Sequence, residues 1–130
     1  MSDTLTLSNP KLLKQQCLIK DSWQDSSDGA TIEVTNPFSG QTIGTIPSLT
    51  EQDVIDTVAY ADKVQASWAA KTAQERGELL QKWADLIDDN QEDLAVLMTA
   101  EQGKPLTESR GEMAYANSFI RWFAEEGKRV

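Results

Sequence analysis

The sequence predicts an α+β fold in which a β-hairpin is followed by about four helices. Residues 31–35 and 42–47 are rich in β-branched side chains and flank the turn sequence NPFSG, a pattern typical of two paired strands. After residue 47, apolar residues recur at steps of three and four, which is the spacing of one helical face. The composition, 39% hydrophobic and 25% charged, is that of an ordinary globular protein.

The first part of the chain is predicted to be a polar arm with a short helix, over residues 1–16. Asn9 is a candidate cap and Pro10 suits a first helical turn, so this helix is expected to run to about Gln16. Residues 17–47 then carry the strands. Residues 17–20 form a short strand candidate, and an extended segment resumes at Trp23 after a turn.

The helices are predicted to occupy residues 50–130. Thr50 with Asp53 resembles a capping pair, and Thr72 with Glu75 forms a capping box. Asn90 is expected to cap a third helix. Apolar residues follow these caps at helical spacing: Val54, Ile55, Val58, Ala61, Val64 and Trp68 first, then Leu79, Leu80, Trp83 and Ile87, then Leu94, Leu97 and Met98.

A fixed elbow is predicted between the third and fourth helices. Gly103 can adopt the left-handed conformation that ends a helix, and Pro105 suits the first turn of the next. In the fourth helix one apolar face is predicted, with Tyr115 and Trp122 beside it. Its members are Met113, Ala116, Phe119, Ile120 and Phe123.

Charge and composition exclude several functions. The net charge is −9 with a pI near 4.4, and the basic residues are scattered, so neither a nucleic-acid surface nor an anionic membrane surface is expected. No apolar run could span a bilayer, and the N-terminus does not resemble a secretory signal. A cytoplasmic location follows. The absence of histidine excludes histidine acid–base chemistry and most zinc sites within the chain.

No complete catalytic motif is present. Lys104 near a helix start could meet a phosphate, but a solvated lysine in a helix–helix elbow is favoured. Cys17 has no histidine partner and is interpreted as a passive, half-buried thiol. The acidic pairs at residues 88–89 and 125–126 point in different directions on a helix, so solvated helix ends are favoured over a metal or acid–base site.

Two features of the sequence, one glutamate and one group of aromatic residues, support more specific hypotheses. Glu101 ends a helix whose last carbonyls lack partners, a possible oxygen-rich cation site. The aromatic face of Tyr115, Phe119, Trp122 and Phe123 could line an apolar tunnel. Ordinary core, or a face covered by a partner, is the simpler interpretation of those aromatic residues.

From about Leu12 onward the chain resembles the N-terminal part of the aldehyde dehydrogenase superfamily. The segments that carry the resemblance are IEVTNPFSG at 32–40, TIGTIP at 42–47, the helix with Trp68, and LMTAEQGKPLTE at 97–108. The segment EMAYANSFIRWFAEEGKR at 112–129 looks specifically like succinate-semialdehyde dehydrogenases and their close relatives. The E-x-G-K-P and S-F-I-x-W-F-A-E-E elements are specific, whereas T-N-P-x-x-G is shared more widely.

The resemblance implies NAD(P)-dependent oxidation of an aldehyde to a carboxylic acid. In that family a cysteine attacks the aldehyde, hydride passes to the nicotinamide, and water hydrolyses the resulting thioester. The segments for these steps have no counterpart here, and Cys17 does not match the family nucleophile. The chain is therefore expected to be an N-terminal fragment of the α/β aldehyde dehydrogenase fold, without the nucleotide-binding core or catalytic domain. We expect it to be inactive alone and to bind neither NAD nor NADP.

Residue roles can be carried over by the same resemblance. The helix after Gly-Lys-Pro lines the substrate tunnel in relatives, which places Gly111, Tyr115 and Phe119 on a tunnel wall. Glu101 matches a position that helps to bind a structural monovalent cation in some members, joined by a backbone carbonyl near Val34 or Thr35. The usual ligand there is aspartate, and here it is glutamate. No catalytic and no cofactor-contacting residue can be assigned.

Three functions remain open. The first is a succinate-semialdehyde-type dehydrogenase whose partners are the remainder of the same polypeptide, further copies of itself and a small aldehyde. The second is a related aldehyde dehydrogenase with another substrate, such as glutarate semialdehyde. The third is a stand-alone helical interaction module, which a genuine stop after Val130 would favour.

Overall fold

A computed structural model describes residues 5–129 of the chain, which divide into two compact units. One unit is Leu13–Ala70, with two small sheets and one long helix. The other combines Met1–Leu12 with Lys71–Val130, and its described residues form a 3-10 turn and three α-helices. No helix among the described residues is both long and apolar enough to cross a membrane. The predicted α+β class, strands first and four helices after them, is confirmed.

The strand unit contains two antiparallel hairpins where the sequence predicted one. Strands β1 (Cys17–Ile19) and β2 (Ser22–Gln24) pair with Leu18 opposite Trp23. Lys20 and Asp21 form the turn with φ values of 51° and 65°, the left-handed values that two-residue hairpin turns require. The sequence indicated the strand and the extended segment, but it showed no glycine at the turn that would have predicted their pairing.

The second hairpin is the predicted one. Strands β3 (Thr31–Thr35) and β4 (Thr42–Pro47) pair with Ile32 opposite Ile46, and an irregularity follows Val34. Asn36 organises the turn because its side-chain oxygen accepts hydrogen bonds from the backbone of Phe38 and Ser39. The turn presents Phe38 to solvent, with 92% of its surface exposed.

Helix α1 (Glu51–Ala69) completes this unit and begins at the predicted cap. Thr50 Oγ1 accepts from the backbone N–H of Asp53, and the Asp53 carboxylate accepts from the Thr50 N–H. The Thr50 hydrogen bonds, backbone first, lower the pKa of Asp53 to about 2, and Ser27 adds further donors. No residue of α1 is buried, although its apolar residues follow helical spacing.

The helical unit contains α2 (Ala73–Asp89), α3 (Gln91–Gln102) and α4 (Leu106–Glu126). The Thr72–Glu75 capping box opens α2 as predicted. The closest packing uses small residues rather than large apolar ones. They are Gly77 and Ala84 on α2, Ala95 on α3, and Ser109 and Ala124 on α4. Helices with such faces can approach one another closely.

Two local predictions were wrong. The short helix expected to run from Pro10 to about Gln16 is a single 3-10 turn, Pro10–Leu12, capped by Asn9. Asn90 stands at the start of α3 without making a side-chain cap. Its amide instead donates to the Leu86 carbonyl at the end of α2, because the two helices meet at this residue.

The predicted apolar face of α4 is present on one continuous helix, and most of it is exposed. Met113 and Ile120 are half-buried, but Ala116, Phe119 and Phe123 are exposed, and Ser109, Asn117 and Ala124 are buried in their place. On α2, the Ala84 carbonyl and the Asp88 carboxylate accept hydrogen bonds from Asn117, so a polar side of α4 faces that helix. Helix α4 therefore packs with its small and polar side, and its aromatic residues point outward.

Candidate functional site

The elbow between α3 and α4 is held rigidly. Gly103 has φ 75° and its N–H donates to the Thr99 carbonyl at 2.8 Å, which ends α3 as predicted. The hydroxyls of Thr99 and fully buried Ser109 lie 2.8 Å apart, so a hydrogen bond joins the two helices beside the turn. The direction in which α4 leaves the elbow is fixed by these contacts.

Lys104 in the same elbow is not the solvated side chain that the sequence favoured. Its ammonium group pairs with the Glu112 carboxylate nearly two turns into α4, and only 19% of the Lys104 side chain is exposed. The interaction adds a charged contact between the elbow and α4. Nothing in the described residues provides the glycine-rich cradle that a phosphate would need beside this lysine.

The three predicted tunnel residues lie on one line along α4. Gly111, Tyr115 and Phe119 are four residues apart, which places them on the same side of the helix. Tyr115 is 66% exposed and Phe119 is 45% exposed. Their rings meet edge to face, with centroids 4.8 Å apart and planes at 84°. A Cβ added at Gly111 would meet no atom within 4 Å, so the line begins with open space.

Trp122 extends this line by a further turn and is 62% exposed. We call Gly111, Tyr115, Phe119 and Trp122 the aromatic line of α4. It gives the chain an exposed apolar surface of aromatic rings, in which Tyr115 and Phe119 pack against each other. Such a surface can contact the hydrocarbon part of a small molecule or another protein segment.

The opposite side of α4 is attached to α2 by polar side chains. The Asn117 amide is 3% exposed and donates to the Ala84 carbonyl at 3.0 Å and to the Asp88 carboxylate at 2.6 Å. One turn further on, the Arg121 guanidinium donates to Gln81 and Asp85 at 2.9 Å and to Asp88 at 2.6 Å. We call Asn117, Arg121 and their three side-chain partners on α2 the polar seam.

The electrostatics of the polar seam are consistent with this geometry. The Arg121 guanidinium, and after it the Asn117 amide, hold the pKa of Asp88 below its usual value. The same carboxylate, followed by that of Asp85, raises the pKa of Arg121. The polar seam was not predicted from the sequence. Two spacings in the sequence could have indicated it. Asn117 and Arg121 are four residues apart on one helix, and the possible acceptors at positions 81, 85 and 88 are four and three residues apart on another.

Helix α3 is fastened to α4 by a second polar contact. Arg110 donates from Nε and from one terminal nitrogen to the two oxygens of Glu92, at 2.8 and 2.6 Å. This bidentate geometry fits a planar guanidinium against a planar carboxylate. The neighbouring Asp93, 7% exposed, accepts from the backbone of Ser8 and Asn9 and so holds the N-terminal arm on α3.

The acidic pairs are involved in more interactions than solvated helix ends would be. Asp88 belongs to the polar seam, Glu125 pairs with Lys128, and Glu126 lies 3.4 Å from Arg129. Glu125 and Glu126 pair with different residues, and the prediction that neither acidic pair forms a metal or acid–base site stays a prediction. Cys17 lies half-buried on β1 as a free thiol; that it is passive stays a prediction.

The cation hypothesis stays a prediction. Glu101 is exposed in the last turn of α3, and Thr35 is exposed at the end of β3. The two residues belong to different units. Within residues 5–129, no three His, Cys, Asp or Glu side chains are grouped so that they could hold a metal ion.

The described residues contain no glycine-rich turn of the Rossmann type. Pyrophosphate binding by a Rossmann-type fold requires a glycine-rich turn between a strand and a helix N-terminus. The strand β4 leads to α1 through Ser48, Leu49 and Thr50, with no glycine, and the sequence contains no G-x-G-x-x-G segment. Contacts to NAD or NADP are therefore not assigned to any residue of this chain.

Comparison with known proteins gives a consistent result. The model of the aldehyde dehydrogenase family matches residues 23–130. The chain is 48% identical over 126 residues to a glutarate-semialdehyde dehydrogenase of Pseudomonas putida, covering 97% of this chain and 26% of that protein. It is 44% identical to the NADP(+) succinate-semialdehyde dehydrogenase of Escherichia coli, with the same coverage.

A solved structure agrees with the sequence matches. The crystal structure of a succinate-semialdehyde dehydrogenase from Burkholderia pseudomallei superposes with a TM-score of 0.93 at 46% identity. The superposition covers 96% of this chain and 26% of that one. The chain thus spans about a quarter of the length of the relatives it matches.

Proposed function

Because this chain belongs to the aldehyde dehydrogenase family, we propose that it forms the N-terminal part of an enzyme that oxidises an aldehyde to a carboxylic acid with NAD or NADP. The observation that carries the proposal is the family match over residues 23–130 together with the coverage of only 26% of the relatives. The partners are then the remaining three quarters of the same polypeptide, which supply the cofactor site and the reacting groups, and further copies in a homo-oligomer. We place the enzyme in the cytoplasm.

The proposed substrates are short dicarboxylic semialdehydes. Relatives described as glutarate- and succinate-semialdehyde dehydrogenases are nearly equally similar to this chain, at 48% and 44% identity, so both aldehydes are candidates. They differ by one methylene, which an apolar pocket distinguishes by only about 1–3 kcal/mol. The substrate carboxylate needs cationic groups, which we assign to the remainder of the polypeptide.

The contribution of this chain is proposed to be one wall of the substrate tunnel. The aromatic line of α4 supports this, because Tyr115 and Phe119 are outward-facing, mutually packed and fixed to a well-anchored helix. Gly111 adds room at the start of the line. Flat aromatic faces suit the hydrocarbon segment of a semialdehyde and exclude water from it.

The test is an assay of the complete gene product. We expect it to reduce NAD or NADP with succinate or glutarate semialdehyde, while residues 1–130 expressed alone give no reduced nicotinamide. Absence of turnover by the complete product with every combination of cofactor and aldehyde would contradict the enzyme assignment. Turnover by residues 1–130 alone would contradict the proposal that the remainder of the polypeptide supplies the cofactor site and the reacting groups.

A second candidate is a helical interaction module that works without a catalytic part. The observation that favours it is the large apolar surface left exposed on each unit, including Val58 on α1, Trp83 on α2 and Trp122 on α4. Sizeable exposed apolar patches commonly mark binding surfaces. A natural gene product of the same length as this chain, without dehydrogenase activity, would favour the module over the enzyme.

A further inference from the structure

The polar seam lies on the side of α4 opposite the aromatic line, and this relation suggests a specific role. We propose that Arg121 is a positioning residue that sets the rotation of α4 about its own axis and so aims Tyr115 and Phe119 into the substrate tunnel. The inference rests on the proposed function, since it assumes that the aromatic line is a tunnel wall. It concerns residues that touch neither substrate nor cofactor.

The contacts of Arg121 are directional in the way this role requires. One guanidinium reaches three acceptors, Gln81, Asp85 and Asp88, which are spread over two turns of α2. A planar guanidinium has donors in fixed directions, so only a narrow range of helix rotations satisfies all three acceptors together. The Arg121 contacts therefore specify the rotation of α4 about its axis as well as its distance from α2.

Asn117 makes departures from this angle costly. Its amide is almost completely buried and its nitrogen has two acceptors on α2, while its oxygen has no partner among the described residues. Turning α4 would deprive the nitrogen as well and leave the entire amide unsatisfied, which is strongly unfavourable in a buried location. Asn117 therefore favours the same rotation of α4 as the Arg121 contacts do.

The small residues of the same contact set the distance between the two helices. Gly77, Ala84 and Ala124 allow α2 and α4 to approach closely, and a Cβ at Gly77 would lie 2.7 Å from the Ala124 carbonyl oxygen. The polar seam adds hydrogen bonds in fixed directions to this close approach, and these favour one rotation of α4.

A small rotation would have a large effect on the aromatic line. From helix dimensions, a side chain about 6 Å from the axis moves by about 2 Å when the helix turns by about 20°. Displacements of that size are enough to weaken the contact between the aromatic rings and the hydrocarbon part of a bound aldehyde, because dispersion contacts fall off steeply with distance. Loss of the Arg121 contacts should therefore alter substrate binding without removing a reacting group.

The experiment compares variants of the complete gene product. Arg121→Gln removes the guanidinium, and Arg121→Lys restores the charge and part of the hydrogen bonding. Arg129→Gln is the matched control, because Arg129 pairs with Glu126 one turn away along the chain rather than with α2. Tyr115→Ala and Phe119→Ala report whether the aromatic line contacts the substrate at all. The measured quantities are KM and kcat for succinate and glutarate semialdehyde, with the thermal midpoint of each variant.

We expect Arg121→Gln to raise KM roughly five- to tenfold with kcat within about twofold of the parent, and Arg121→Lys to recover part of the loss. Arg129→Gln should leave both constants unchanged.

If the Tyr115 and Phe119 variants change KM but Arg121→Gln does not, the positioning role is wrong and the tunnel wall stands. If the two aromatic variants leave KM unchanged, the tunnel wall itself is wrong and the inference falls with it. A lower thermal midpoint for Arg121→Gln with unchanged KM would show a purely structural role.

Discussion

At the scale of single residues, Gly77 and Gly111 form an informative pair. Both lie inside helices, yet their surroundings are opposite. A Cβ at Gly77 would lie 2.7 Å from the Ala124 carbonyl oxygen and 2.8 Å from Lys128 Cε, whereas a Cβ at Gly111 would meet nothing within 4 Å. The lysine can move aside, but the backbone carbonyl of α4 cannot. Gly77 is thus required by close packing, and Gly111 is not.

Alanine substitutions should therefore have opposite effects at these two positions. Gly77→Ala is expected to lower the free energy of unfolding by about 1–3 kcal/mol through overpacking. Gly111→Ala should raise it by about 0.5–1 kcal/mol, because alanine favours a helix over glycine. Urea unfolding of both variants measures the difference. Equal effects, or a stabilised Gly77→Ala, would show that α2 and α4 do not meet at Gly77.

Asp53 gives a prediction about pH. Its pKa in the folded state is about 2, against an ordinary value of 3.8, because the backbone and hydroxyl of Thr50 donate to the carboxylate. The folded pKa is the lower one, so the stabilisation is present above pH 4 and is lost as the pH falls from about 4 to 2. An NMR titration of the Asp53 carboxyl should give a midpoint near 2. Thr50→Ala keeps the backbone donor and removes the hydroxyl, so it should move that midpoint part of the way toward 3.8, and an unchanged midpoint would refute the contribution of the hydroxyl.

At the scale of elements, the helix starts differ in how they are capped. Thr72 caps α2 through its side chain, whereas Asn90 makes no side-chain cap for α3. We expect Thr72→Ala to lower the free energy of unfolding by about 1 kcal/mol. Asn90→Ala should cost less, because it removes one exposed hydrogen bond to the Leu86 carbonyl. Chemical denaturation measures the free energy of unfolding of both variants. A larger loss for Asn90→Ala than for Thr72→Ala would contradict this order.

The elements also show what the sequence could predict. The capping boxes, the left-handed Gly103 and the hairpin at Asn36 depend on local chemistry, and all were predicted correctly. The buried face of α4 was not, because it depends on which faces α2 and α3 present. Helical periodicity identified the apolar stripe of α4 but could not show that the small and polar stripe beside it is the one that packs. The polar seam was missed for the same reason.

At the scale of the whole molecule, much of the apolar surface is unpartnered. Large apolar side chains on α1, α2 and α4 are exposed, among them Ile55, Trp83 and Phe123. In the proposed enzyme the remainder of the polypeptide covers part of this surface. Residues 1–130 alone should therefore bind an apolar dye and associate as concentration rises, as sedimentation velocity can show. Replacing Phe119 and Trp122 by serine should reduce both effects. A strictly monomeric chain without dye binding would contradict this expectation.

We propose that this chain is about one quarter of an aldehyde dehydrogenase polypeptide, and the intact mass of the natural gene product is the decisive measurement. The matched residues make up 26% of the Pseudomonas putida relative, so we expect a mass about four times the 14.4 kDa of this chain. A natural product of 14.4 kDa would contradict the enzyme assignment and would leave the interaction module as the better explanation of the exposed apolar surface.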